Sequence, residues 1–545
     1  MNGGHKLQNF EIQKLHKQAE LSMQRKNFTV ANKIYNNILI KDKNDIVALY
    51  KLALNFFSVA QYMQAKKYIE KFFELDGFRQ PAALNLYGQI LIRSEKYDRA
   101  IEILELCNSI NPKNDVTYTN LASAYNFKKD YNNVIKYCFE SIKLNLNNKH
   151  AFNNLGGAFF STANYDDARI ALSTAIDLDN NFFEAILNLA TLEQRLGNHG
   201  VAIQNFHNAL SKIEPSQDWH EAKVRFFLSF SQLSTGNLEE GWKNYEYGFH
   251  PAVKQYNGRT PIRKFDVPLW NGHKLEHEKI LIWREQGLGD EILYMSCLKD
   301  LGIDLKNIII ECDPRLVPLY SRSFPECRVR SQSMNTDLSS PYSDFSYHLP
   351  MGSMMKFTRN KIEDFNTKTD YIVANSEYRE EFKNRLKKYG ENRKKIGICW
   401  RSGNIDHLRN EHYLQLKDFE MLFNRSDLVF VNLQYGNCES EIQEVEELFG
   451  VEIVRWQDVD LKNDLEKVYS LIDSLDCVIT AGTAVHAFSG SVGKETIWFG
   501  KGDAWTKLGQ DELPWYRTSK FVEINKSNPQ ITIEKIATEF NRLIR

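Results

Sequence analysis

At 545 residues the chain is too long for one hydrophobic core, and three or four domain-sized bodies are expected. Hydrophobic residues at 42%, charged residues at 26% and a formal net charge of −1 describe ordinary globular bodies. They exclude a nucleic-acid or membrane-surface binder that works through bulk charge. Eight cysteines, from Cys107 to Cys477, form no C-x-x-C pair, which argues for reduced thiols and against a disulfide framework or a zinc site.

The first residues, MNGGHKLQNFEIQKLHKQ, lack an apolar core segment, and no run of about 18 apolar residues occurs. A cytoplasmic protein without a transmembrane segment is expected; peripheral association with a membrane complex stays open. From about Phe10 a period emerges. Asn120, Asn154 and Asn188 are 34 residues apart, each followed by Leu and then Ala or Gly. Gly88, Ala122, Gly156 and Ala190 keep the beat, as do Tyr97, Tyr131, Tyr165 and His199, and Ala100, Val134, Ala168 and Ala202. That period is one helix–turn–helix tetratricopeptide unit. Small residues fall where two helices approach closely, and the aromatic column fills the gap between repeats. One extra residue near Gly77 shifts the phase, beyond which Ala53/Tyr62/Ala65 and Ala19/Phe28/Ala31 continue it, giving at least six units.

A less regular helical pair follows, with Gly236-Asn237 at its turn, and it reads as a terminal repeat altered to dock on something else. The solenoid with this cap is assigned to 10–250. Residues 251–278, with three prolines and Trp270 in PLWNG, read as a linker held against a surface. From Lys279 short apolar strands alternate with helices, first in KILIW, NIIIEC, a weaker strand near Arg328 and FSYHLP. After a charged helix they resume in KIGICW, LVFVNLQ, VEIVRW, CVIT and ETIWFG. This is the texture of parallel sheets covered on both faces. Two lobes, 279–378 and 392–545 with a returning final helix, define a multidomain fold: an all-α solenoid, then a two-lobed Rossmann-like α/β unit. Ligands of such sheets bind beyond the carboxyl ends of the strands.

Three loops there carry polar groups. In Glu285-Gln286-Gly287-Leu288-Gly289-Asp290, a strand passes into a helix; Gly287 and Gly289 allow a tight turn and close approach to a ligand. Asp290 reads equally as a helix cap or as a base facing a cleft. At the end of KIGICW, Arg401 and Ser402 stand where a diphosphate would lie, and Arg409 is a second cation or a solvated ion-pair partner. After CVIT, Thr483 opens a helix whose first amides suit phosphate oxygens, or it is simply a cap. His486 lies one turn on, facing the cleft or packed on the sheet. Gln434, in LQYG, is at a strand end suited to a base or ribose. Neither a metal-ligand cluster nor a GxxxxGK loop is present.

In order and spacing, the blocks PLWNG, EQGLGDEI, PRLVPL, GICWRSGN, NLQYG, LIDSLDCVIT-x-x-TAVHAFSGSVGK and PWY resemble bacterial tetratricopeptide glycosyltransferase-like proteins. Their catalytic part is similar to the heptosyltransferases, and the resemblance runs from about Pro268 to Tyr516. The overall plan resembles the O-linked N-acetylglucosamine transferases, which implies a GT-B catalytic unit. The resemblance places Asp290 on the catalytic base, Arg401, Ser402 and Arg409 near donor phosphates, and Thr483 and His486 on the loop that grips a nucleotide-sugar. Gly482 departs from the family, which commonly has Asp there; the loss alters sugar choice or weakens catalysis. By the same resemblance, Asn120, Asn154 and Asn188 clamp an extended peptide backbone, since a carboxamide both donates and accepts; the alternative is solubility on an exposed inner helix.

The expectation is therefore an inverting, metal-independent glycosyltransferase with a nucleotide-sugar as donor substrate and no cofactor. Its acceptor would be a hydroxyl of a protein or peptide held by the repeats. The rival expectations are a repeat scaffold with a degenerate transferase fold, and a transferase acting on a surface glycan or lipid-linked acceptor.

Overall fold

The computed structural model describes residues 2–25, 27–214, 218–256, 258–332, 344–365, 370–403, 412–502 and 504–543. The chain forms two compact units, Met1–Leu192 and Glu193–Arg545. The expected solenoid of 10–250 is thus divided, and its last helices belong to the second unit.

The first unit is all-helical: α1 (Asn2–Gln24), α2 (Phe28–Lys41), α3 (Ile46–Ser58), α4 (Tyr62–Asp76), α5 (Pro81–Arg93), α6 (Tyr97–Ile110), α7 (Asp115–Phe127), α8 (Tyr131–Leu144), α9 (Lys149–Ser161), α10 (Tyr165–Leu178) and α11 (Phe183–Arg195). The columns of small residues explain the pairing. A Cβ on Gly88 would lie 2.6 Å from Leu104, and one on Gly156 2.6 Å from Leu172, so α5/α6 and α9/α10 touch where a larger residue has no room. The aromatic column falls on the first residue of each second helix, and Tyr97 stacks on Phe127 of the next repeat at 5.2 Å. The turns before α4, α6, α8 and α10 each carry a left-handed residue: Ala60, Glu95, Lys129 and Ala163, with φ between 58° and 61°.

The second unit opens with α12 (His199–Ser211), α13 (Asp218–Ser234) and α14 (Leu238–Tyr245). Trp242 is buried and donates its indole N–H to the Arg359 carbonyl at 2.7 Å, so this altered last repeat docks on the α/β region. Residues 251–278 lie on the same body: Trp270 is buried against Phe357, and its N–H donates to the His273 carbonyl.

The first sheet comprises β1 (Ile280–Trp283), β2 (Ile308–Cys312), β3 (Arg328–Ser331) and β4 (Tyr347–Pro350), all parallel, in the order β3-β2-β1-β4. Helices α15 (Leu288–Met295), α16 (Val317–Ser323) and α17 (Met355–Thr358) accompany it, and α18 (Ser376–Lys387) follows, with Phe382 against Trp456 and Arg379 bonded to Asp473 of the second sheet's side. The second sheet holds β5 (Lys394–Cys399), β6 (Leu428–Asn432), β7 (Ile453–Val454), β8 (Cys477–Ala481), β9 (Thr496–Gly500) and β10 (Ser519–Glu523), parallel throughout, in the order β10-β9-β8-β5-β6-β7. Its helices are α19 (Glu420–Phe423), α20 (Glu439–Phe449), α21 (Leu465–Ser474), α22 (Ala484–Ser491) and α23 (Pro529–Leu543). Central strands β1, β2, β6, β8 and β9 are buried along their whole length, as parallel strands covered on both faces must be.

One detail differs from expectation. Strand β10 was not anticipated, because SKFVE alternates weakly and lies at the sheet edge. The final helix α23 packs on the second sheet, with Ile533, Ile536 and Phe540 in its core.

Candidate functional site

In each sheet the strand order reverses once, between β1 and β4 and between β5 and β8. Loops at such a reversal diverge and leave a crevice beyond the strand ends. The polar loops sit at these points: one follows β1, one β5 and one β8.

The loop after β1 turns at Gln286, which is left-handed (φ 59°), and not at a glycine. Gly287 is extended, at φ −82° and ψ 170°, and caps α15. The Gln286 N–H is held by the Thr260 carbonyl at 2.7 Å, which steadies the turn. Gly289 has a different purpose: its missing Cβ would lie 3.5 Å from Ala484 Cα, so the start of α15 rests on the start of α22. Asp290 accepts the Gly287 N–H at 3.1 Å, which makes it a cap. It also stays partly open to water, and burial pushes its carboxyl up to about 6, against the pull of the Gly287 amide and with help from the Glu285 charge. Asp290 is thus a helix cap whose carboxyl is held above the ordinary range.

Glu285 is fully buried. Arg259 donates to it from Nε at 2.7 Å and again from Nη2, and the Gly352 N–H donates at 2.8 Å. Glu291 is also buried, pairs with Arg284 at 2.9 Å and accepts the Asp313 N–H at 3.0 Å. Burial raises Glu291 to about 7 despite Arg284. These ion pairs fix the strand ends that carry Asp290.

Across the crevice, Thr483 caps α22, its hydroxyl accepting the Val485 N–H at 3.3 Å, and Cys399 at the end of β5 lies 3.6 Å from that hydroxyl. The Trp400 and Arg401 amides donate to Gln434 Oε1 at 3.2 and 3.0 Å, and Gln434 Nε2 donates to the Tyr435 carbonyl at 3.0 Å. The β5 and β6 ends are thereby knitted together. Gln434 is buried and positions this edge with its carboxamide. The Arg401 guanidinium is drawn aside by Glu441, which takes its Nε at 3.1 Å and its Nη2, and by the Asn437 carbonyl at 2.9 Å. It therefore points along α20 and not over the Thr483 helix. Ser402 is half-buried beside it. Arg409 lies outside the described residues.

His486 does not face the crevice. It is buried, stacked on Trp498 with ring centres 4.8 Å apart, and its Nε2 lies 3.2 Å from Ser519 Oγ. Burial lowers its pKa to about 3, so the ring is neutral and packs on the sheet.

Beyond the ends of β6 and β7 is a cavity of about 580 Å³, lined by Gln434, Tyr435, Asn437, Arg455, Trp456 and Lys462 among others. Trp456 packs on Phe382 at the cavity's edge, and Arg455 there is paired with Glu439 and Glu446. The sequence contained the signal, an Arg-Trp pair directly after a strand, but the pair reads as the end of VEIVRW and was not picked out.

In the first unit a second cavity, of about 790 Å³, is lined by Asn120, Asn154, Asn148, Asn153, Phe127 and Phe182 among others. The asparagine column is committed in part. Asn120 Nδ2 donates to Asn85 at 3.0 Å, Asn154 to Ser123 at 3.0 Å and Asn188 to Asn153 at 2.9 Å. These bonds join successive inner helices, so the column ties repeat to repeat before it meets any ligand. Among the described residues no helix is long and apolar enough to cross a membrane, and no three metal-ligating side chains cluster.

Fold and site together define a tetratricopeptide-like solenoid followed by a region of parallel sheets. A family model described as coatomer epsilon subunit matches residues 42–233. Protein FlbA of Caulobacter vibrioides is 26% identical over 533 residues, which cover 95% of this chain and 88% of that protein. RNA polymerase II-associated protein 3 of Homo sapiens is 26% identical over 162 residues, covering 28% of this chain and 24% of that one. Among solved structures, a thermophilic TPR protein of Thermus thermophilus shares 16% identity at a TM-score of 0.32, covering 34% of this chain and 99% of its own. MamA of Desulfovibrio magneticus shares 19% at 0.27, covering 32% and 98%.

Proposed function

We propose that the second unit is a GT-B type glycosyltransferase that moves a sugar from a nucleotide-sugar to a hydroxyl, the acceptor being a polypeptide bound by the repeats. The observation that supports this reading is the contact of Gly289 with Ala484, the chain neighbours of Asp290 and Thr483, at loops that follow the strand-order reversals of the two sheets. The Asp290 carboxylate takes the proton of the acceptor hydroxyl. The acceptor oxygen bonds to the anomeric carbon from the face opposite the leaving group, and the bond from that carbon to the phosphate oxygen breaks. The nucleoside diphosphate departs with the electron pair, and the sugar is inverted. Negative charge on the leaving group is met by the first amides of α22. The cavity at Tyr435 and Trp456 accepts the nucleoside, with its base against the indole. In this scheme Arg401 and Gln434 shape the pocket wall, and Asp290 and Thr483 border the reacting atoms.

Asp290→Asn tests the scheme, because the carboxamide keeps the acceptor oxygen for the Gly287 amide but is no base. Transfer should fall by roughly 10²–10⁴-fold while nucleotide binding stays within about twofold of wild type. Equal loss of both would reduce Asp290 to a cap.

The engagement of Arg401 by Glu441 favours a second reading, a repeat scaffold whose transferase fold no longer turns over. A panel of nucleoside diphosphates separates the two. Binding to the folded state at a hundredfold over Kd raises stability by about 2.7 kcal/mol, whereas no shift with any nucleotide supports the scaffold.

A further inference from the structure

Resting on the transferase reading, we infer that Trp498 reads the bound donor through its indole N–H, and that Gly482 keeps the space in front of that N–H free of a side chain. Trp498 lies on β9, opposite Thr480 of β8, and is 5% exposed. Its Nε1 is buried and has no hydrogen-bond partner. Buried donors are almost always satisfied, so an orphan of this kind needs an explanation. The rings packed on the indole are committed elsewhere or apolar: His486 stacks on its face and bonds Ser519, and Phe521 packs at 4.7 Å.

The direction of the N–H is fixed by two glycines. A Cβ on Gly482 would lie 2.9 Å from Nε1, but 3.7 and 3.9 Å from Cε2 and Cζ2, so the N–H edge of the ring is what faces Gly482. At Gly500 the nearest atom is again Nε1, at 3.8 Å. The donor therefore looks out between the carboxyl ends of β8 and β9. Gly482 itself is exposed and immediately precedes the Thr483 cap of α22. Any side chain at 482 would close this notch. The Gly482 backbone does not lie in the left-handed region, so conformation alone does not demand glycine there.

An incoming oxygen that settles over Gly482 satisfies Trp498 Nε1 and the first α22 amides together. The ligand atom is thus an acceptor, an oxygen of the diphosphate or of the sugar. A carboxylate at position 482 would make this corner accept hydrogen bonds; the indole makes it donate them. Sugar preference would follow, favouring an acceptor group at the carbon that reaches the notch.

The test uses the full chain, with Trp498→Phe and Gly482→Ala, titrated calorimetrically with inorganic pyrophosphate, with the diphosphates of uridine and guanosine, and with the sugar conjugates of both. Phenylalanine keeps an aromatic ring against His486 and removes the donor together with part of the indole's volume. The free protein should stay folded with some stability lost to the smaller ring, and affinity for the bound conjugate should fall about tenfold. Gly482→Ala should lower it in the same direction. A loss already present with the diphosphate alone assigns the oxygen to phosphate; a loss confined to the conjugate assigns it to the sugar. Wild-type affinity in Trp498→Phe overturns the inference and leaves the transferase reading intact. No binding of any probe by wild type overturns that reading and the inference with it.

Discussion

The two units satisfy buried polar groups in opposite ways. In the solenoid, asparagines at a fixed period bond one inner helix to the next, as Asn120 does with Asn85 and Asn188 with Asn153. In the α/β unit, the buried polar groups come from distant segments and meet at strand ends. Arg259 serves Glu285, and Gln434 gathers the amides of Trp400 and Arg401. Repetition gives the first unit a structure that each repeat can specify alone. The second depends on contacts between distant segments, and it holds a raised carboxyl, Asp290, after β1 of one sheet and an orphaned donor, Trp498 Nε1, on β9 of the other.

That contrast can be broken most severely through the proposed base. Asp290 is pushed up to about 6, so it is protonated and unable to take a proton below that pH. Transfer should be level above it and fall about tenfold for each pH unit below, read from a pH–rate profile. A profile flat down to about pH 4 would remove Asp290 from the chemistry. Next in size is Arg259→Met, which strands the Glu285 charge in the core. It should cost the second unit about 3–5 kcal/mol, seen in calorimetry as a lowered melting step, with the solenoid step unmoved. A smaller, paired test lies in the solenoid. Gly156→Ala drives a Cβ to 2.6 Å from Leu172 and should cost about 1–3 kcal/mol, while Gly157→Ala meets nothing within 4 Å and should gain roughly 0.8–1 kcal/mol. Denaturant titration of both would show whether the small-residue column is a packing requirement. Smallest is Asn154→Ala, which removes the bond to Ser123 and should cost about 1 kcal/mol; no loss would mean that the column serves ligands alone.

Period and alternation made the architecture readable. The 34-residue columns located the helical pairs because close approach at Gly88 and Gly156 leaves a mark at every repeat. Eight of the ten described strands are visible as apolar runs, since parallel strands buried on both faces have no polar side to hide them, while β3 (RVRS), largely open to water, reads only as a weaker strand. Partners were not readable. Nothing in the sequence tells that Glu441 captures Arg401, or that His486 turns to Trp498, because those choices depend on which helices the sheets bring near. The tight turn was assigned to Gly287 and Gly289, yet the left-handed residue is Gln286, and Gly289 is small for the sake of Ala484. The cavity at Trp456 escaped notice for a related reason: β7 is only two residues long, so its end lies earlier than the apolar run suggests.

Hydrogen exchange of the full chain, with and without a saturating nucleotide-sugar, bears most directly on the shared site. The account predicts slowed exchange in four segments together, 286–290, 434–439, 455–462 and 482–486. Protection confined to one of them, or absent from all, would contradict it.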